Sequence, residues 1–316
     1  MLLARTLRWS LLVQFALAAG AGLLLYAWGV PAWLAAVLAL VLPLAGTALV
    51  LAIEFFTGAA IDRRQGERLR FGSALRLWGT ETLTSFRMFS WNQPFASAFP
   101  EQPVVNDPQR PAVLLVHGYM CNRAVWHPLL LSGALKECNL ATVNLEPVFG
   151  PIERYGEVIA GAVDALRAAS GAARVTLVCH SMGGIAARAY LHAHADQGAD
   201  AAIERVITIA TPHHGTIFGA FGSGHNARQM RHGTSYLQEL IGAEPPERAA
   251  RFVCIASRDD NLIVPRSSCM LAGARHIWLD GIGHLALLFD ARVWQLLREL
   301  IVTEPAPAQR AMSSAT

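Results

Sequence analysis

Between Trp9 and Phe56 the chain carries a single charged residue, Glu54, and no fold that leaves those residues in water is stable. The block divides into two runs, Trp9 to Trp28 and Trp33 to Phe56, separated by Gly29-Val30-Pro31. A helix rises roughly 1.5 Å per residue, so about 20 apolar residues cross the roughly 30 Å hydrocarbon layer of a bilayer. Pro31 cannot continue the first helix and suits the first turn of the second. Residues 1–60 are therefore expected to form a transmembrane helical hairpin, with Tyr26, Trp28 and Trp33 at the interface around the turn.

Arg5 and Arg8 precede the first run, and Arg63, Arg64, Arg68 and Arg70 follow the second; the turn has no positive charge. The positive-inside rule puts both ends in the cytoplasm, as an integral protein of the inner (cytoplasmic) membrane whose remaining domain is cytoplasmic. The alternative is that residues 1–28 are a cleaved secretory signal and the domain is periplasmic or secreted. A second apolar run, at least as long, directly downstream opposes it. Glu54, at the end of the second span, is expected at the headgroups.

The rest of the chain has ordinary charge. A net charge of +3 and a pI near 8.7, with no long basic run, exclude nucleic acid as a partner. The five cysteines, Cys121, Cys138, Cys179, Cys254 and Cys269, lack zinc or disulfide spacing and read as reduced, mostly buried thiols. Residues 61–110 form an amphipathic juxtamembrane connector, lying along the membrane surface or packed on the domain that follows. Residues 303–316 read as a disordered tail.

From 111 to 302, short β-branched runs alternate with helical stretches, the pattern of a mostly parallel sheet flanked by helices. Six strands are expected: Ala112–Val116, Leu140–Leu145, Val175–Cys179, Val206–Ala210, Phe252–Ala256 and Arg275–Leu279. Helices are expected near 123–137, 151–169, 183–195 and 290–302. The third strand runs into Cys179-His180-Ser181-Met182-Gly183-Gly184 and then a helix, the setting of a nucleophile elbow. There the serine occupies a strained turn, and Gly183 allows strand and helix to approach.

These residues resemble the α/β-hydrolase superfamily, and within it the small bacterial lipases and esterases, whose elbow is G-x-S-x-G or A-x-S-x-G; here Cys179 takes the first small position. Val113-Leu114-Leu115-Val116-His117-Gly118-Tyr119 resembles the family's first core strand and H-G loop. The resemblance implies an α/β-hydrolase fold over about 111–302, Ser181 as nucleophile, and an oxyanion hole from the backbone amides of Tyr119 and Met182. It also implies that His117 supports its loop. Gly281-Ile282-Gly283-His284-Leu285 resembles the histidine loop and makes His284 the base. The acid is Asp260 or its neighbour Asp259, with Asp260 preferred because Asn261-Leu262-Ile263-Val264-Pro265 follows it as in the family. Ile209-Ala210-Thr211-Pro212-His213-His214-Gly215-Thr216 resembles a structural, pocket-lining lipase segment, and His192, His194, His225 and His232 read as surface residues.

The implied activity is that of a lipase or esterase cleaving carboxylic esters, with no metal and no cofactor. Partners are an acyl-ester or lipid substrate and the membrane lipids; nothing in the sequence sets an oligomeric state. Phe218, Phe221, Leu285, Leu287 and Leu288 are candidates for an acyl pocket, and only a short lid fits between Ala210 and Phe252. The same triad also serves acyl transfer, thioester cleavage or amide cleavage, and the same fold serves a non-catalytic membrane scaffold.

Overall fold

A computed structural model describes residues 1–64, 71–96 and 102–304. Arg68, Arg70, Pro100 and residues 305–316 of the expected tail lie outside the described residues. The chain opens with helix α1 (Leu2–Ala27), a break at Trp28–Pro31 with Gly29 at φ +91°, and helix α2 (Ala32–Arg64). Within them Leu2–Ala27 and Ala32–Gly58 are each long and apolar enough to cross a bilayer, and little of either is buried by protein. The helices cross where Gly22 lies against Ala35 and Ala39, a close approach that small residues allow.

Helix α3 (Phe71–Arg87) follows and continues as a short π-helical turn over Met88–Asn92. This connector packs against both the hairpin and the domain that follows. The Trp78 indole donates to the carbonyl of Ala48 on α2 (2.8 Å), Leu77 and Met88 are buried, and Gln93 pairs with the main and side chain of Asn122.

A six-stranded, fully parallel sheet forms the body of the molecule, with β1 (Ala112–Val116), β2 (Asn139–Thr142), β3 (Val175–His180), β4 (Ile203–Ile209), β5 (Phe252–Ser257) and β6 (Arg275–Leu279) in the order β2-β1-β3-β4-β5-β6. Side chains alternate across a strand, so each strand feeds two cores. Leu114, Val116, Leu177 and Cys179 face helices α4 (Ile152–Ser170) and α5 (Met182–Ala193). Val113, Leu115, Val178 and Ile207 face the other way, toward Trp126, Leu129, Leu287 and helix α6 (Ala291–Arg298). All strands but β6 are almost wholly buried, which is why they read as continuous apolar runs.

Two expected strand bounds shift by three residues, and four others by one. Val143 and Leu145 are buried beyond the end of β2, where their apolarity serves the core and the ladder has ended. β4 starts three residues early, through Glu204 and Arg205, whose charges hid a strand that is already paired with β3. His194, expected at the surface, is buried against Tyr190, with ring centroids 5.3 Å apart.

Candidate active site

β3 ends at His180 and α5 begins at Met182, so Ser181 alone makes the turn and takes φ 54°, ψ −127°. Non-glycine residues occupy that region only when their surroundings hold them there. Here Ser181 N donates to the Ile209 carbonyl (2.8 Å) and Thr211 Oγ1 donates to the Ser181 carbonyl (2.8 Å), bracing the turn from β4 and the loop after it. A Cβ at Gly183 would sit 2.6 Å from the carbonyl oxygens of Val116 and His117, and one at Gly118 would meet Ser181 Cβ at 2.9 Å. The two glycines let the elbow and the H-G loop touch.

His284 lies on the loop after β6, and Asp260 on the loop after β5, both at the carboxyl edge of the sheet, where the loops of such folds converge. The structure brings the three residues into one hydrogen-bonded line. His284 Nδ1 donates to Asp260 Oδ2 (2.9 Å), which leaves Nε2 to accept from Ser181 Oγ (3.1 Å). All three are buried. Asp260 Oδ1 accepts the amides of Leu262 and Ile263 (both 2.8 Å), whereas Asp259 accepts from Gly281 N (2.6 Å) and so ties the two loops together away from the imidazole.

Burial alone would lower the pKa of His284; the charge and hydrogen bond of Asp260, with Glu81 and Glu54 behind it, outweigh that and raise it. The ring also lies against that of His180, centroids 4.9 Å apart. His117 is buried and its pKa falls to about 4, desolvation outweighing the hydrogen bond to Gly118, so the ring is neutral. It accepts from Leu145 N (3.0 Å) and donates to the Gly118 carbonyl (2.9 Å), holding the H-G loop against the segment that follows β2.

Met182 opens α5, so its N–H is among the first-turn groups that have no partner within the helix. Tyr119 follows Gly118, and its hydroxyl both donates to the carbonyl and accepts from the amide of Ser223 (2.8 Å each). The amides of Tyr119 and Met182 thus belong to the two segments that touch at Ser181.

The sequence reading missed a carboxylate layer from the amino-terminal helices. Glu81 of α3 is 1% exposed and accepts the amides of Leu285 (2.6 Å) and Ala286 (3.0 Å), immediately after His284. Burial pushes its pKa up to about 7, against the pull of those amides and of His284. Glu54 lies beside the site, not at a headgroup: it accepts from Asn261 Nδ2 (3.0 Å), and Asn261 Oδ1 in turn accepts from His284 N (3.0 Å). The one available signal was isolation: Glu54 is the only charge in its span and Glu81 the only acid among residues 71–96.

Two clefts meet at Ser181. One, of about 650 Å³, runs along α1, α2 and α3 and includes Leu285. The other, of about 300 Å³, runs past Pro212, Phe218, Phe221 and Met230. Leu287 and Leu288 belong to the core and line neither. His213 is buried, with Nε2 3.3 Å from Thr208 Oγ1, and lines neither cleft.

Residues 157–239, from α4 through the elbow and β4, match a family model described as the PGAP1-like alpha/beta domain. Among solved structures, Bacillus licheniformis lipase BlEst2 in its mature form aligns with a TM-score of 0.55 and 18% identity, over 64% of this chain and 98% of that one. Aspergillus fumigatus lipase B aligns with a TM-score of 0.55 and 16% identity, over 65% of this chain and 57% of that one. The match therefore spans little more than half of the Aspergillus protein.

Proposed function

We propose that this chain, which has the α/β-hydrolase fold, is a membrane-anchored serine hydrolase that cleaves carboxylic esters. The observation that carries the proposal is the Ser181–His284–Asp260 line, with the serine on a braced turn at the meeting of two clefts. A serine hydroxyl is a weak nucleophile until a base takes its proton. His284 Nε2 takes it as Ser181 Oγ attacks the ester carbonyl, and Asp260 fixes the imidazole tautomer and offsets the charge it acquires. The amides of Tyr119 and Met182 stabilise the tetrahedral oxyanion. The alcohol leaves with the proton from His284, and water then releases the acyl group by the reverse of the same steps.

The anchor is the α1–α2 hairpin. Its large apolar side chains, among them Trp9, Leu12, Phe15, Leu40, Leu49 and Phe56, point outward with no protein to cover them, as in a span surrounded by lipid. With arginines at both ends, the catalytic domain lies on the cytoplasmic side of the inner membrane. Two solved structures of the same fold are lipases by description, which supports an ester as substrate. A fluorophosphonate probe tests the reading: it labels the wild type and not Ser181→Ala, whose turnover falls by roughly 10⁴-fold to 10⁶-fold. An unlabelled wild type would leave a membrane-bound domain without catalysis.

A further inference from the structure

The larger cleft at Ser181 has one wall made by the catalytic domain and another made by the hairpin. On α1 the lining residues Leu7, Leu11, Gln14 and Leu17 recur every three or four positions, as do Leu42, Gly46, Val50 and Glu54 on α2. That spacing puts each set on one helix face. The cleft thus follows the hairpin away from Ser181. From Glu54 to Leu42 it covers about 18 Å at a helical rise of 1.5 Å per residue.

Its surface is chiefly apolar, and its volume lies within the roughly 300–1,000 Å³ of small-molecule sites. The polar side chains on its α1 wall, Ser10 and Gln14, are hydrogen-bonded to each other (3.0 Å). At the end far from the serine, Leu17 is 68% and Leu42 48% exposed, so the cleft opens sideways on the apolar surface of the spans. A groove that is continuous from hydrocarbon to a serine nucleophile and chiefly apolar along its length, with its carboxylates Glu54 and Glu81 at the catalytic end, matches a long acyl chain joined to an ester.

We propose that the hairpin is the acyl-binding wall of the enzyme: the acyl chain of a membrane-resident ester lies between α1 and α2 and reaches Ser181 sideways from the bilayer. This rests on the hydrolase reading above and adds to it the site for the chain. The smaller cleft past Phe218 and Phe221 then takes the alcohol portion. The anchor and the specificity pocket are the same two helices.

Gly46 supplies the test, because a Cβ built on it meets nothing within 4 Å, so a larger residue is accommodated by the fold and fills the groove. Gly20 on α1 is equally open, does not line the cleft, and serves as the control. The full chain in detergent micelles is assayed on p-nitrophenyl butyrate and p-nitrophenyl palmitate, which share a leaving group. Gly46→Leu lowers kcat/KM for the palmitate by about tenfold or more, the scale on which apolar pockets discriminate by size, and leaves the butyrate within about twofold. Gly20→Leu changes neither. Val50→Trp, at an exposed position on the same wall, repeats the pattern should Gly46→Leu fail to fold. Unchanged palmitate cleavage, or equal losses on both esters, in a variant that still takes the fluorophosphonate label would overturn the acyl wall and leave the hydrolase reading standing. A wild type that neither labels nor cleaves butyrate would overturn the hydrolase reading itself.

Discussion

Asp259 and Asp260 are adjacent carboxylates on one loop, and only backbone direction separates them: one faces His284 and the other Gly281. The sequence placed both beside the histidine without saying which way each points, and preferred Asp260 by its resemblance to a family motif. Asp260→Asn is expected to lower kcat by about 10⁴-fold, since the amide no longer fixes the imidazole tautomer, with Asp259→Asn within tenfold of wild type in the same steady-state assay. Glu81 acts on the site through the loop after His284. A general base must be neutral, so activity falls on the acid side as His284 protonates, at a pH that nearby negative charge raises. Glu81→Gln removes such a charge and moves the acid limb of kcat/KM to lower pH; a purely structural side chain would leave the limb in place. Stability changes too. A carboxyl group whose pKa is raised from 4.5 to about 7 on folding favours the fold below 4.5 and loses that contribution as pH rises to 7, on the order of 3 kcal/mol. Melting temperatures across that window should drop in the wild type and stay flatter in Glu81→Gln.

Most of the sheet was legible at the scale of elements, because parallel strands buried on both faces show as unbroken apolar runs between turn residues. The errors fell where burial and pairing part company, at the end of β2 and the start of β4. The elbow was legible for a different reason: the glycines after Ser181 are required by contact. Gly183→Ala puts a methyl group on two carbonyl oxygens of the H-G loop and should destabilise the domain by about 1–3 kcal/mol, measured as a lower thermal midpoint, with fluorophosphonate labelling reduced as well. The covering of the site was the least legible feature. Composition between Ala210 and Phe252 allowed only a short lid, yet much of the wall comes from α1, α2 and α3, more than 90 residues earlier in the chain than the serine they flank. Apolar periodicity within one helix cannot report which partner it will meet, and the hairpin read as lipid-facing throughout.

At the scale of the whole molecule, the charge pattern fixes an expected orientation. A reporter fused after Arg310 should be active as a cytoplasmic fusion and silent as a periplasmic one; the reverse result would favour export of the domain. Hairpin and domain are also joined chemically, by Trp78 on Ala48, Glu54 on Asn261, and Glu81 on the amides beyond the histidine. That joining bears on when the proposed hydrolase can act. A freshly made polypeptide whose first two helices have not reached a bilayer lacks both Glu54 at its site and the hairpin wall of its groove. On the proposed reading it is therefore expected to be dormant until insertion is finished, so that arrival in the membrane would itself switch the hydrolase on.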